Sequence, residues 1–155
     1  PEPVTSPVTA DLSTPEKRGK YLVTIAVCGD CHTPANEQGV PVPGMDFAGG
    51  FRIQYAGIKD AFGANITPGV NGIPYYTEDL FIETLRTGRV RERQLSPIMP
   101  THFYRNMTDD DLKSIFAYLK SLDPVDHYVD NSMEPTVCAR CGLVHGGGER
   151  NKKKG

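Results

Sequence analysis

Apolar residues are scarce in this chain. They make up 38% of its 155 residues, aromatic residues make up 8%, and tryptophan is missing altogether. That share is below the average for a globular domain, so the chain has only a thin core of its own. The longest apolar run, Tyr21 to Val27 with Thr24 inside it, is far too short to span a bilayer. The net charge of −2 gives no general pull towards nucleic acid. No Ser/His/Asp set, phosphate-binding glycine loop or paired acid and base stands out, so nothing supports independent catalysis. No signal peptide is visible either: the chain opens at Pro1, with Pro3 and Pro7 close by.

Glycine and proline are plentiful, sixteen and thirteen residues respectively. The length fits one domain with an appended tail. A loop-rich chain of this kind gains from a large apolar body around which short helices can pack. Cys28-Gly29-Asp30-Cys31-His32 points to such a body. Two cysteines three apart, with a histidine next, form the attachment motif of c-type haem. Two thiols must add across two vinyl groups on one edge of a porphyrin, and two intervening residues suit that separation. The following imidazole then lies under the ring, where it can bind iron. The same spacing could serve a redox pair, half a zinc site or a disulfide. A redox pair would follow a strand of a βαβ unit, whereas an apolar helical stretch precedes this one. A zinc knuckle would need a matching second pair.

Three helices are expected around this motif. Ser13-Thr14-Pro15-Glu16 is a helix start. Tyr21, Ile25 and Cys28 follow at helical spacing, which predicts that they share the buried face. Gly19, costly inside a helix, predicts a close crossing by another helix. Thr77 caps a second helix, with Leu80, Phe81, Thr84 and Leu85 inward, a staple from Tyr76 to Phe81, and Gly88 as its stop. A basic loop with Arg86, Arg89, Arg91 and Arg93 follows, either a docking patch or a solvated surface. Thr108 caps the third helix. Asp109, Asp110 and Asp111 oppose its dipole, and Met107 staples onto Leu112. Leu112, Ile115, Phe116, Leu119 and Leu122 form its stripe, and Pro124 marks its end.

Between Thr33 and Pro74 no period survives. Eight of the sixteen glycines lie between Gly39 and Gly72. So long a chain of turns suits a wrap around a cofactor, anchored by Phe47, Phe51, Ile53, Tyr55, Ile58 and Phe62. Arg52, Asn65 and Thr67 are candidates to meet haem propionates; ordinary turn bonding is the alternative for each. Met99 is the candidate sixth iron ligand among Met45, Met99, Met107 and Met133. It lies in Leu95-Ser96-Pro97-Ile98-Met99-Pro100, where the prolines stiffen the loop. A buried gap-filler is the bland role for it. His102 is the rival, and a bis-His iron would have the lower potential.

These residues together resemble a class I cytochrome c. The helix running into CxxCH, then FAGG, ANITP, TEDLFIETLRTGR, LSPIMP and TDDDLKSIFAYLKSL carry the likeness, over about residues 14–125. It is greatest to the monohaem modules in cytochrome subunits of quinoprotein and flavoprotein dehydrogenases. The resemblance implies an all-α fold of three main helices and long loops around one covalent haem c. It implies thioethers at Cys28 and Cys31, His32 and Met99 as axial ligands, and packing of the first helix on the third near Gly19 and Phe116. The implied function is one-electron transfer between respiratory or dehydrogenase partners, not enzymatic turnover, either alone or as a subunit of a larger complex. A haem enzyme or gas sensor with an open sixth position is the alternative. Attachment of c-type haem takes place outside the cytoplasm, so a periplasmic or other exported location is expected, with an export signal removed. Unlike those subunits, the chain has one haem motif, no visible membrane anchor and a cysteine-bearing extension.

Residues 1–13 read as an extended arm and 126–155 as a separate extension. The extension holds Cys138-Ala-Arg-Cys141-Gly-Leu-Val-His145. It is no second haem motif, because Gly142 stands where histidine must follow. Cys138, Cys141 and His145 can supply three ligands to zinc, with His127 or an acidic residue as the fourth. A disulfide or free thiols are the alternatives. Lys152, Lys153 and Lys154 are either a partner-seeking or a solubilising end.

Overall fold

A computed structural model describes residues 9–152. Most of the expected N-terminal arm, and Lys153 and Lys154, lie outside the described residues. Helix α1 (Pro15–Ile25) begins where Thr14 accepts a hydrogen bond from Lys17 N–H. Helix α3 (Glu78–Thr87) begins at Thr77 and stops at Gly88, which takes the left-handed conformation. Helix α5 (Asp109–Ser121) begins at Thr108. Two short helices, α2 (Cys28–His32) and α4 (Thr101–Tyr104), complete the helical set.

The expectation of an all-α chain needs correction. The described residues also form three two-stranded antiparallel ribbons: β1 (Arg52–Tyr55) with β2 (Ile58–Phe62), β3 (Arg89–Val90) with β4 (Arg93–Gln94), and β5 (Pro135–Val137) with β6 (Val144–Gly146). The first arises inside the turn-rich stretch. Ile53 and Tyr55 alternate along one strand, and Gly57, at φ +81°, permits the reversal.

The main core lies where α1, α3 and α5 meet. Leu22, Val23, Ile73, Phe81, Leu85, Leu112, Ile115 and Leu119 are buried there. Phe116 stacks on Phe81, with ring centroids 5.3 Å apart. Helix α1 crosses α5 at Gly19, where an added Cβ would stand 2.0 Å from Ser114 O and 2.7 Å from Tyr118 Cβ. The partners of Gly19 are thus Ser114 and Tyr118, and Phe116 faces α3 instead. The expected buried face of α1 was also displaced. Tyr21 is 40% and Ile25 57% exposed, and the core takes Gly19, Leu22 and Val23. Close approach at a glycine fixes the face of a helix more firmly than one set of apolar spacings does.

Arg18 clamps the two helices from outside. Its Nε and Nη2 donate to Asp111 Oδ1 at 2.9 and 2.6 Å, while Thr108 Oγ1 donates to Asp111 Oδ2 at 2.8 Å. The Arg18 guanidinium above all holds the Asp111 carboxyl below its usual range. A depressed carboxylate contributes stability above its unfolded value, near ~3.9, and loses it as pH falls through the folded one. Asp111→Asn is therefore expected to cost about 1 kcal/mol at neutral pH, because the pair is partly exposed. The gap to the parent should close as pH falls through that lowered value. Urea melts followed by circular dichroism across that range check this.

The basic loop is braced. Arg86 donates to Arg105 O and to Asp109 Oδ1, Arg89 donates to Gln94 Oε1 at 3.0 Å, and the Arg91 guanidinium lies 5.2 Å from the Tyr75 ring centre.

Candidate functional site

Helix α1 does not run straight into the cysteine motif. It ends at Ile25, and Val27 takes a left-handed conformation at φ +51° before α2 begins. That is a strained setting for a β-branched residue. Tyr104 OH donates to Ala26 O at 2.7 Å, which secures the bend from the side of α4. Cys28, Cys31 and His32 then occupy one short helix. Both cysteines are free thiols. Burial pushes Cys28 up to about 11 and also raises Cys31, so both stay protonated at neutral pH.

Two strands of loop grip this helix. Gly49 N–H donates to His32 O at 2.6 Å, and Gly50 N–H donates to Gly63 O at 2.8 Å. Gly63 lies so close that an added Cβ would stand 1.7 Å from Cys31 O. The next residue, Ala64, places its carbonyl 2.7 Å from His32 Nδ1. A carbonyl can only accept, so Nδ1 carries the proton and Nε2 keeps its lone pair for a metal. Burial pushes the His32 imidazole down, against the opposing pull of Ala64 O. The ring is therefore held neutral and oriented.

Met99 is half-buried and packs against the main core. Its N–H donates to Ser96 O at 3.0 Å and its carbonyl accepts from Thr101 N–H at 2.7 Å. These bonds add to the two flanking prolines. Of its rivals, Met45 is buried in a separate cluster with Ala48 and Val125, Met107 packs on the main core beside α5, Met133 is exposed, and His102 is exposed on α4.

The three residues proposed to meet propionates have other partners. Arg52 binds Asp60 across the first ribbon, with Nε donating at 2.9 Å. Asn65 is buried, and its Nδ2 donates to Val125 O at 2.9 Å and His127 O at 3.1 Å. Its Oδ1 accepts from Thr67 N–H and Oγ1 at 2.9 and 2.8 Å. Thr67 Oγ1 in turn accepts from Val125 N–H at 3.2 Å. Asn65 and Thr67 thus fasten the chain after α5 to the loop beneath His32. Their role in holding the extension has no periodic signal in the sequence.

The extension itself is built onto this loop. Asn131 exchanges hydrogen bonds with the backbone of Phe62, at 2.6 and 3.0 Å. His127, Cys138, Cys141 and His145 converge, with one ligand atom from each within 4.8 Å of all the others. Three of the four are fully buried and Cys141 is partly so. No disulfide joins Cys138 to Cys141. Desolvation pushes His127 down to about 4, lowers His145 and raises Cys141.

No family model matches the chain. It is 37% identical over 126 residues to the fructose dehydrogenase cytochrome subunit of Gluconobacter japonicus, a match covering 79% of this chain and 24% of that protein. It is 33% identical over 104 residues to the cytochrome c subunit of a quinone alcohol dehydrogenase of Gluconobacter oxydans, covering 66% and 20%. A dihaem c-type cytochrome of Cereibacter sphaeroides is 31% identical over 123 residues, covering 77% and 39%. The chain therefore spans less than half the length of these relatives, and about a quarter of the first. The chain is homologous to the cytochrome c subunits of dehydrogenases, and what it shares with them is a c-type cytochrome module.

Proposed function

We propose that the chain is a one-electron carrier. Cys28 and Cys31 would hold one covalent haem c, and His32 and Met99 would be the ligands offered to its iron, in an exported setting. The observation that carries this reading is the fixed His32 ring. Its Nδ1–H is committed to Ala64 O, which leaves Nε2 as the only free donor. The residues fit the group: two reduced thiols on one helical turn, an oriented neutral imidazole, and a thioether on a stiff loop packed against the core. Bound haem supplies an iron that cycles between ferrous and ferric states.

The chain's own part is to limit what that iron can do. The Gly49 and Ala64 contacts hold His32 in one orientation. Pro97, Pro100 and the Ser96 and Thr101 hydrogen bonds hold Met99 likewise. With His32 and Met99 both given to the iron, these residues would keep small molecules off it and let only the electron pass. Redox partners dock transiently, as expected for small electron-transfer contacts. The relatives favour a place within a dehydrogenase complex as its cytochrome module. Among the described residues no helix is long and apolar enough to cross a membrane.

The holoprotein is expected to show a ferric near-infrared methionine–iron band and no rapid CO binding when ferrous. Met99→Ala should abolish the band and admit CO. It should also lower the potential by a sizeable part of the ~0.8 V range that axial ligands command. A parent protein that is high-spin and takes up CO quickly would instead identify a haem enzyme or gas sensor.

A further inference from the structure

The C-terminal extension carries a closed four-ligand site that electron transfer does not use. The geometry points to a single zinc(II) ion bound by His127, Cys138, Cys141 and His145, fastening the extension to the loop that grips His32. This inference is independent of the haem reading, since none of its ligands belongs to the cysteine motif.

The donor distances approach those around one ion. Zinc bonds to sulfur and imidazole nitrogen are about 2.3 and 2.0–2.1 Å, so the edges of a tetrahedral site run about 3.3–3.8 Å. Cys138 Sγ lies 3.4 Å from His127 Nε2, and the two Nε2 atoms lie 3.0 Å apart. All four donors fall within 4.8 Å of one another. A two-iron cluster with two cysteine and two histidine ligands holds its donors across a wider body, so this spacing leaves no room for one.

The histidine tautomers give a separate argument. His127 Nδ1 is 2.8 Å from Ala48 O, and His145 Nδ1 is 2.9 Å from Gly146 O. Both carbonyls accept, so both protons sit on Nδ1. Each Nε2 then presents a lone pair to the other at 3.0 Å, in a fully buried place. Two lone pairs at that distance repel unless a proton or a metal cation lies between them. A Cys138–Cys141 disulfide would leave that repulsion standing; a metal ion removes it. The carbonyl partners are also what ligating histidines ordinarily have behind them.

The cysteines sit in a turn shaped for metal. Cys138 closes β5 and Cys141 lies in the tight connection to β6. Arg140 N–H donates to Cys138 Sγ at 3.3 Å, and Gly142, at φ +78°, donates its N–H to Cys138 O at 2.8 Å. Gly50 leaves the space: an added Cβ would meet His127 Cε1 at 2.8 Å and His145 Cδ2 at 3.1 Å. Four protein ligands and deep burial leave no open position, which marks a structural rather than a catalytic site.

The ion would join three segments distant in sequence: residue 127, the β5–β6 ribbon and, through His127, the carbonyl of Ala48. Ala48 adjoins Gly49 and Gly50, which bond His32 O and Gly63 O. Elemental analysis of the purified holoprotein is expected to find one zinc per chain beside the iron. Absorption at the zinc edge should show two sulfur and two nitrogen neighbours. Cys141→Ser and His127→Ala should each reduce zinc at least tenfold and speed hydrogen exchange of amides 126–151, with α5 unchanged. Chelating the ion from the parent protein should reproduce that exchange pattern without any substitution. Three results would overturn the site: copper or iron in place of zinc, zinc retained in both variants, or a zinc-free parent lighter by the two hydrogens of a Cys138–Cys141 disulfide.

Discussion

Gly63→Ala is expected to destabilise the protein by on the order of 3 kcal/mol or more. It should also raise the reduction potential of whatever holoprotein survives. The new Cβ would stand 1.7 Å from Cys31 O. Side-chain movement cannot relieve this, because the obstacle is backbone. The loop must retreat by more than an ångström. Retreat breaks the bond from Gly50 N–H to Gly63 O, the bond from Gly63 N–H to Phe51 O at 2.9 Å, and the Ala64 contact to His32 Nδ1. The last loss makes the imidazole a weaker donor to iron, which favours the ferrous state. Gly57→Ala is the control. Its φ is +81° but nothing lies within 4 Å, so only about 1 kcal/mol of backbone strain is expected. Urea midpoints and potentiometry of both variants decide the matter. Equal losses at the two positions would show that the loop beneath the haem motif is soft.

Gly19→Ala should lower stability by about 2–4 kcal/mol, although alanine is the better helix former. Helix propensity alone would favour alanine by about 1 kcal/mol. Against this stands a Cβ placed 2.0 Å from Ser114 O and 2.7 Å from Tyr118 Cβ. Helices α1 and α5 would have to part. That loosens Leu22 and Val23 against Leu112, Ile115 and Leu119, each buried in the shared core. Overpacking of this kind costs roughly 1–3 kcal/mol, and the separation adds lost contacts. A shift of the thermal midpoint downwards checks the sign. An upward shift would mean that the crossing is looser than its distances imply.

Parts of this molecule are legible in the sequence because their causes are local. Thr14, Thr77 and Thr108 each cap a helix through the hydroxyl, and the chain carries that information within four residues. The cysteine motif is local for the same reason. What is not legible there depends on remote neighbours. The buried face of α1 is chosen by the crossing at Gly19, so Tyr21 and Ile25 stay exposed despite suitable spacing. The first ribbon hides among turns because neither strand shows enough alternation to stand out. Asn65 and Thr67 look like ordinary turn residues, and their partners lie about sixty positions away. His127 was nameable only as one option for a fourth ligand. No local pattern joins it to Cys138, and the ribbon had to fold back before the two could meet.

The clasp at Asn65 bears on how the molecule could be re-engineered. Both hydrogens of one buried amide are given to carbonyls at 125 and 127, and its oxygen is saturated by Thr67. A reporter spliced in directly after Leu122 would sever that grip, orphan the amide and strip the cover from the underside of the cytochrome. The same reporter joined beyond Lys152 would leave every one of those bonds intact. For anyone wiring this module to an electrode or a foreign dehydrogenase, the safe junction lies past the ribbon, not at the end of the last long helix.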